Sequence, residues 1–359
     1  MESGQDLTLD QGFTNRGAQP QLRRRTREVM TFRHLTWSLL DTNLIKVPAM
    51  GLTRHIASTP RARLLDASVS ALTDAEANQL IAQAIHDKRP FMAARFGATE
   101  FLALDATWLL RFANARQRVR AYLTEGRLPI ASRKVRRQMQ EWSGFFPPSA
   151  LAIEAFGDLM VKDMRDVDLL ASWIQGETLF SDVLKDAAVT SLSGISPFAV
   201  EEPWTAALRG KHVLVVHPFA QTITDQFTKH RADLFKNSNI LPEFELQTIA
   251  AVQSIAGNKT SFSDWFAALD HMKSEMQQKD FDVAIIGCGA YGFPLAAHAK
   301  RMGKTAIQLA GITQLLFGIM GARWENNHDI VKWKNEHWVR PSDQDRPDGF
   351  RKVEGGCYW

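Results

Sequence analysis

Apolar positions recur along this chain in two alternating patterns. Short unbroken runs, Phe91–Ala94, Val213–Val216 and Phe281–Ile286, are separated by stretches in which apolar residues return at helical spacing. An unbroken apolar run is what a strand buried on both faces requires, and the 3.6-residue return marks one face of a helix. Thr73-Asp74-Ala75-Glu76 is a capping box opening a helix to about Lys88, with Leu80, Ile81, Ala84 and Ile85 on its apolar face. Pro90 ends it, and Phe91 begins the first strand. The Arg95–Glu100 turn leads into a helix through Leu110, Pro147-Pro148 marks a loop, and helical spacing resumes over Leu151–Leu170. Beyond Val213–Val216, Gln221–Phe235 predicts a crossover helix and Phe244–Ala250 a strand. Phe262, Trp265, Phe266, Leu269, Met272 and Met276 then mark one helix face. The series closes at Phe281–Ala310 as strand, glycine turn, helix and strand, with Gly303 placed for a left-handed cap behind Lys300 and Arg301.

Strands alternating with helices over this length imply an α/β fold: a Rossmann-like, mainly parallel sheet flanked by helices and joined by right-handed crossovers. Residues 67–359 read as that one domain. Residues 1–66 read as an N-terminal extension, and 1–30, polar, basic and aperiodic, as a disordered arm.

In such sheets ligands collect beyond the C-terminal ends of the strands. That rule selects three loops: Arg95–Glu100, His217–Thr224 and Gly287–Gly292. In the last, Gly287, Gly289 and Gly292 form a G-x-G-x-x-G that lets backbone approach a phosphate at a helix N-terminus, with Tyr291 inside the turn. A nicotinamide or methyl-donor site wants an acid at the end of the next strand, and Gln308 stands there instead. A Rossmann methyltransferase remains an alternative, as does a turn that only packs helix on strand. In the first loop Arg95 suits bidentate phosphate binding, Gly97 and Thr99 line the turn, and Glu100 suits a general base or a divalent-metal ligand. A plain Arg95–Glu100 ion pair is the structural alternative. In the second, His217 can donate to a diphosphate or take a proton, beside Thr222; a satisfied core histidine is the other reading. Trp173 and Glu177 add an aromatic that is either core or stacking surface and a second candidate acid or base.

Composition narrows the classes. At 359 residues, 45% hydrophobic and 23% charged, the chain is an ordinary globular protein. No stretch reaches the length of a membrane span, and no apolar signal core stands at the N-terminus, so the cytoplasm is the expected location. Cys288 and Cys357 make neither a disulfide framework nor a metal motif. Net charge is +4, yet nine basic residues and one acid fall between Arg111 and Arg137. That cluster suggests an anionic membrane face or lipid-diphosphate acceptor; without a nucleic-acid motif it does not point to nucleic acid. Trp324, Trp333, Trp338, Tyr358 and Trp359 predict a C-terminal segment that folds back on the domain, with a place for it in the wall of an acceptor site.

Arg95-x-Gly97-x-x-Glu100 after a strand, with the late glycine unit, resembles the GT-D-type bacterial glycosyltransferases and their RFGDGE-like segment. Further likeness to polysaccharide-synthesis relatives lies in His217–Phe219, Ala251–Gly257, Gly287–Gly292, Thr313–Ile319 and Gly355–Trp359. The resemblance spans roughly Phe91 to Trp359. It implies transfer of a sugar from a nucleoside diphosphate sugar to a glycan or lipid-linked acceptor. It also implies an Asp-x-Glu pair near the donor diphosphate and a Mn2+ or Mg2+ ion. Glu100 matches the Glu, but Ala98 stands at the Asp position; one carboxylate makes a weak Mn2+ or Mg2+ site, and a noncatalytic nucleotide- or polysaccharide-binding protein is an alternative.

Overall fold

The structure, a computed structural model, describes residues 61–68 and 70–359, so the arm and most of the N-terminal extension lie outside the described residues. Seven strands form one all-parallel sheet: β1 (Phe91–Ala94), β2 (Leu169–Ala171), β3 (Ala188–Thr190), β4 (His212–His217), β5 (Glu245–Ala250), β6 (Val283–Ile286) and β7 (Thr305–Gln308). Their order across the sheet is β3-β2-β1-β7-β6-β4-β5. The chain runs outward from β1 through β2 to β3, then crosses to β4 and β5, and β6 and β7 fill the centre. The α/β architecture read from the pattern is the one observed.

Eight main helices among the described residues flank the sheet or pack on the helices beside it: α1 (Asp74–His86), α2 (Ala98–Arg111), α3 (Ala115–Glu125), α4 (Arg133–Ser143), α5 (Ala150–Asp163), α6 (Ala220–His230), α7 (Trp265–Gln277) and α8 (Gly292–Arg301). The alternation of side chains along each strand divides the core into two layers. Leu214 and Val216 of β4 join Phe156, Trp265 and Met272 on one face; Val213 and Val215 join Ile81, Trp204 and Phe244 on the other. Apolar burial on both faces, roughly 1.5–3 kcal/mol for each large side chain, is why these strands carry no polar alternation. Thr73 and Glu76 close the capping box before α1, as its sequence predicts.

The predicted helix over Leu151–Leu170 is corrected: α5 ends at Asp163, and Leu169–Ala171 is β2. Asp163 is almost wholly buried and accepts from Arg301 at 2.6 Å. Asp168 accepts from the Met92 amide at 2.8 Å and pairs with Lys300 at 2.7 Å. The carboxylates at this corner therefore stop the helix and seat the strand, and Lys300 and Arg301 pair with them at the end of α8. The crossover predicted over Gln221–Phe235 ends as an α-helix at His230 and continues as a 3-10 turn through Asp233.

Three cations of the basic stretch, Arg111, Arg118 and Arg127, are engaged within the fold. Arg111 pairs with Glu154 and Asp158 at 2.7 and 2.6 Å, and Arg118 caps the Leu109 and Leu110 carbonyls. Arg127 pairs with Asp105 and Glu125. The surface charge left for an external partner is smaller than the sequence count suggests. Residues 61–66 of the extension pack on the domain: Arg61 pairs with Asp105 at 3.0 Å, and the Ala62 carbonyl accepts from the Gly176 amide at 3.1 Å.

Candidate functional site

A cavity of about 370 Å³ opens above the C-terminal ends of β1, β7, β6 and β4, at the centre of the sheet. Central placement there follows from the strand order, since crossovers leaving in opposite directions part the loops above adjacent strands. The three loops selected from sequence all reach it. Arg95, Gly97, Thr99, Glu100, His217, Gly287, Gly289, Tyr291 and Gln308 line its wall; Thr222, Gly292 and Glu177 do not.

Gln308, at the position where a dinucleotide fold carries its acid, fastens the first loop: its Oε1 accepts from the Arg95 amide at 2.9 Å. The Arg95 guanidinium then lies 4.7 Å from the Trp173 ring, whose indole Nε1 donates to the Phe96 carbonyl at 2.8 Å. Trp173 is thus cavity wall and a stacking surface. Arg95 is largely buried and makes no ion pair with Glu100 or any other carboxylate among the described residues, so the predicted structural pair does not form. Burial holds its pKa below the ordinary arginine value, and the nearby Glu100 carboxylate opposes that fall. A desolvated cation without a counter-ion, set in a cavity, favours an anionic ligand.

Glu100 sits in the first turn of α2 and folds back over Gly97. A Cβ on Gly97 would lie 1.8 Å from Glu100 Oε2, which is why this N-cap must be glycine although its φ of −82° suits any residue. The carboxyl is nearly buried, and burial pushes its pKa up; its own backbone amide, the Ser143 hydroxyl and the charge of Arg95 oppose that rise. Gly97→Ala is expected to swing this carboxylate aside while the fold survives, because the clash is with the mobile end of a side chain. Thermal unfolding should then shift by no more than a few degrees, with a loss of any Glu100-dependent turnover of at least about tenfold. Unchanged turnover would show that the carboxylate position does not matter.

His217 ends β4 with its ring buried. Its Nδ1 accepts from the Phe219 amide at 3.0 Å, so the neutral ring carries its proton on Nε2, and burial lowers its pKa to about 3. It is therefore a hydrogen-bond donor, and the proton-accepting role considered from sequence is corrected: a neutral ring with Nδ1 occupied and Nε2 protonated has no lone pair to offer.

The glycine turn serves packing and approach together. Gly287 donates to Val216 at 3.0 Å, and a Cβ there would meet Thr313 Oγ1 at 2.4 Å and the Ala310 carbonyl at 2.5 Å. Gly289 takes a φ of +56°, favourable only without a side chain. Gly292 lies behind the wall, where its missing Cβ leaves room for the Gln308 side chain. Tyr291 stacks on Trp265 at 4.9 Å and its hydroxyl approaches Ser254 at 3.3 Å, so its ring is mainly scaffold.

Two sequence candidates are scaffold outside the cavity. The fully buried Glu177 carboxylate accepts from the Trp173 and Ile174 amides at 3.1 and 3.0 Å, from the Leu64 amide at 3.3 Å and from the Ser172 hydroxyl. With its lone pairs so used, it positions the Trp173 loop rather than a reacting proton. Thr222 donates to Asp345 and accepts from the Ser342 amide at 3.3 Å, anchoring the C-terminal segment.

That segment supplies a wall of the cavity, the position the aromatic tail suggests, but the side-chain partners within it are not legible locally. Arg323 donates to the Tyr358 hydroxyl at 2.9 Å and to Glu354 at 2.7 Å, and Trp359 Nε1 donates to the Asp345 carbonyl at 3.0 Å. Arg323, Glu354, Tyr358 and Trp359 all line the cavity. The advance signals are the aromatic density of the tail, which folds back as expected, and, for Tyr358 and Trp359, the likeness over Gly355–Trp359.

The residues present do not fit a resident Mn2+ or Mg2+ ion. Such ions take several oxygen ligands. Here Glu100 and Glu354 are the carboxylates lining the cavity, Glu354 is engaged by Arg323, and Ala98 offers no ligand. Positive charge comes from the two arginines. Cys288 is buried with its thiol pKa raised, and the Cys357 thiol is pushed up to about 12, so neither is a nucleophile at neutral pH. Among the described residues no helix is long and apolar enough to cross a membrane. Comparison of the whole chain with protein-family models, curated proteins and solved structures finds no match.

Proposed function

We propose that the cavity is the donor site of a glycosyltransferase that moves a sugar from a nucleoside diphosphate sugar to a glycan or lipid-linked acceptor in bacterial polysaccharide synthesis. The observation that carries this reading is Arg95, a largely buried cation with no counter-ion among the described residues, set against Trp173 and sharing a cavity with the Gly287–Gly289 turn. In the proposed reaction the acceptor oxygen attacks the anomeric carbon, forming the new glycosidic bond as the bond from that carbon to the diphosphate oxygen breaks. The acceptor proton goes to ionised Glu100, whose raised pKa brings its basicity closer to neutral working conditions. Arg95, Arg323 and His217 Nε2–H receive the charge that develops on the diphosphate. Positive charge in place of a metal makes the transfer metal-independent. The basic surface near α4 is assigned to an anionic acceptor or membrane face, at the cytoplasmic side.

Ala98, standing where the resembled motif has Asp, favours a second reading: a noncatalytic protein that binds the same nucleotide or a polysaccharide. Thermal shift against UDP-, GDP-, dTDP- and CMP-sugars, with and without Mn2+, tests the donor assignment. One donor is expected to raise the melting temperature by several degrees, with little further change from Mn2+. A flat response in folded protein removes the reading, and stabilisation by S-adenosylmethionine alone replaces it with a methyltransferase. Donor binding without sugar transfer to any glycan or lipid acceptor leaves the binding-protein reading.

A further inference from the structure

Away from the cavity, three metal-ligating side chains converge where α6 ends. His230 is the last residue of α6, Asp233 follows at the end of the 3-10 turn, and His337 approaches from the C-terminal segment. One ligand atom from each lies within 4.8 Å of the other two. The two imidazole rings lie nearly parallel, 5.4 Å apart with 29° between their planes. We infer that His230, Asp233 and His337 form a binding site for a transition-metal cation of the Zn2+ class, which joins α6 to the C-terminal segment.

Two features separate this cluster from a chance meeting of surface groups. First, its donors are not consumed by the neighbouring cations. Lys229 pairs with Asp225 and Arg231 with Glu243, while the Asp233 carboxylate and the His230 ring nitrogens have no hydrogen-bond or ion-pair partner among the described residues. The closest carboxylate to His337 is Glu336, at 3.9 Å. Second, the backbone under the ligands is cross-braced. Asn335 Nδ2 donates to the Asp233 carbonyl at 2.8 Å while its Oδ1 accepts from the His337 amide at 3.0 Å, so one side chain spaces two of the ligands. Gln226 of α6 donates to the His337 carbonyl at 2.9 Å, and Trp338 Nε1 donates to the Leu234 carbonyl at 3.3 Å. Such bracing lowers the entropy cost of bringing the ligands together.

The donor chemistry selects the ion. Two imidazoles and one carboxylate suit Zn2+, Co2+, Ni2+ or Cu2+, whereas Ca2+ and Mg2+ want mainly oxygen. In a tetrahedral Zn2+ site with bonds near 2.0–2.2 Å the ligand atoms stand about 3.5 Å apart, so side-chain torsions alone can close this set. Three protein ligands leave a fourth position for water. The bound ion fixes the segment that continues through Val339, paired with Ile319, to Asp345 and on to the cavity wall at Trp359. The inference does not rest on the glycosyltransferase reading.

The test uses the full chain, tag-free and chelator-treated, titrated with Zn2+ by calorimetry and thermal shift and with Co2+ by visible absorption. One equivalent is expected to bind and raise the melting temperature. Co2+ should give the bands of a tetrahedral nitrogen and oxygen set without a thiolate charge-transfer band. His230→Gln, His337→Gln and Asp233→Asn, each with an unchanged metal-free melting temperature, should weaken binding by at least about 100-fold, while Cys357→Ser leaves it intact. Absence of saturable binding, retention of full affinity in both histidine variants, or a thiolate band would each overturn the site. If one variant fails to fold, the remaining two decide.

Discussion

Arg95→Ala is expected to weaken donor binding on the order of 10²-fold or more without unfolding the protein. The two effects separate because the guanidinium contributes little to the apo fold. Its side chain makes one weak hydrogen bond to its neighbour's carbonyl, at 3.4 Å, and lies over Trp173, with no ion pair among the described residues. Burial already disfavours its charged form, so truncation relieves a desolvation cost while losing a cation–π contact worth about 0.5–2 kcal/mol. These oppose one another, and the apo melting temperature should move by only a few degrees in either direction. The ligand sees a different change. Losing a desolvated, charge-assisted contact to a diphosphate should weaken binding on the order of 10²-fold or more. Arg95→Lys restores the charge but not the planar fork and should recover only part of the affinity. Calorimetric titration of the stabilising nucleotide sugar checks both variants. Wild-type affinity in Arg95→Ala would mean that the diphosphate lies elsewhere, with Arg323 the next cation to test.

What the sequence discloses about this site follows from how local each signal is. Central strands such as Val213–Val216 and Val283–Ile286 are legible because burial on both faces leaves an unbroken apolar run. The β2–β3 side of the sheet is not. Leu169–Ala171 and Ala188–Thr190 are three residues long, and Leu169 and Leu170 continue the helical spacing of α5 closely enough to be absorbed by it. Only tertiary partners, Arg301 on Asp163 and Lys300 on Asp168, show where that helix must stop. The three loops converge because strand ends of a parallel sheet share one side, a rule that needs no side-chain detail. The roles within them do need it. Glu177 and Glu100 look alike as isolated carboxylates, yet four donors surround the first, and the second lies against a glycine that leaves it space. Arg323 meets Tyr358 across 35 positions of sequence, a contact no local pattern can announce.

Glu100→Gln is expected to reduce turnover by about 10²–10⁴-fold while donor affinity stays within about threefold, since the amide keeps the shape of the side chain but cannot take a proton. Its stability signature is independent of the reaction. The folded protein raises the Glu100 pKa above the ordinary 4.5, so the folded state holds this proton more tightly than the unfolded chain. Wild-type stability from this group is therefore greatest below about 4.5, falls as pH rises towards the raised folded value, and is level above it. Glutamine carries no proton, so the decline is absent, and the stability of the variant relative to wild type should grow with pH across that window. Chemical denaturation of both proteins between pH 4 and 8 measures the difference. A variant that loses ground to wild type as pH rises would show that the ionised carboxylate is held favourably in the apo fold, against the burial argument. The two readouts also divide the functional readings. A growing stability difference with unchanged turnover would leave Glu100 a buried acid but not the base. Lost turnover with retained binding would make it the base of a transferase. Any ionisation of the free enzyme seen near neutral pH in that turnover should then disappear with Glu100→Gln. His217, whose ring stays neutral down to about pH 3, cannot supply it.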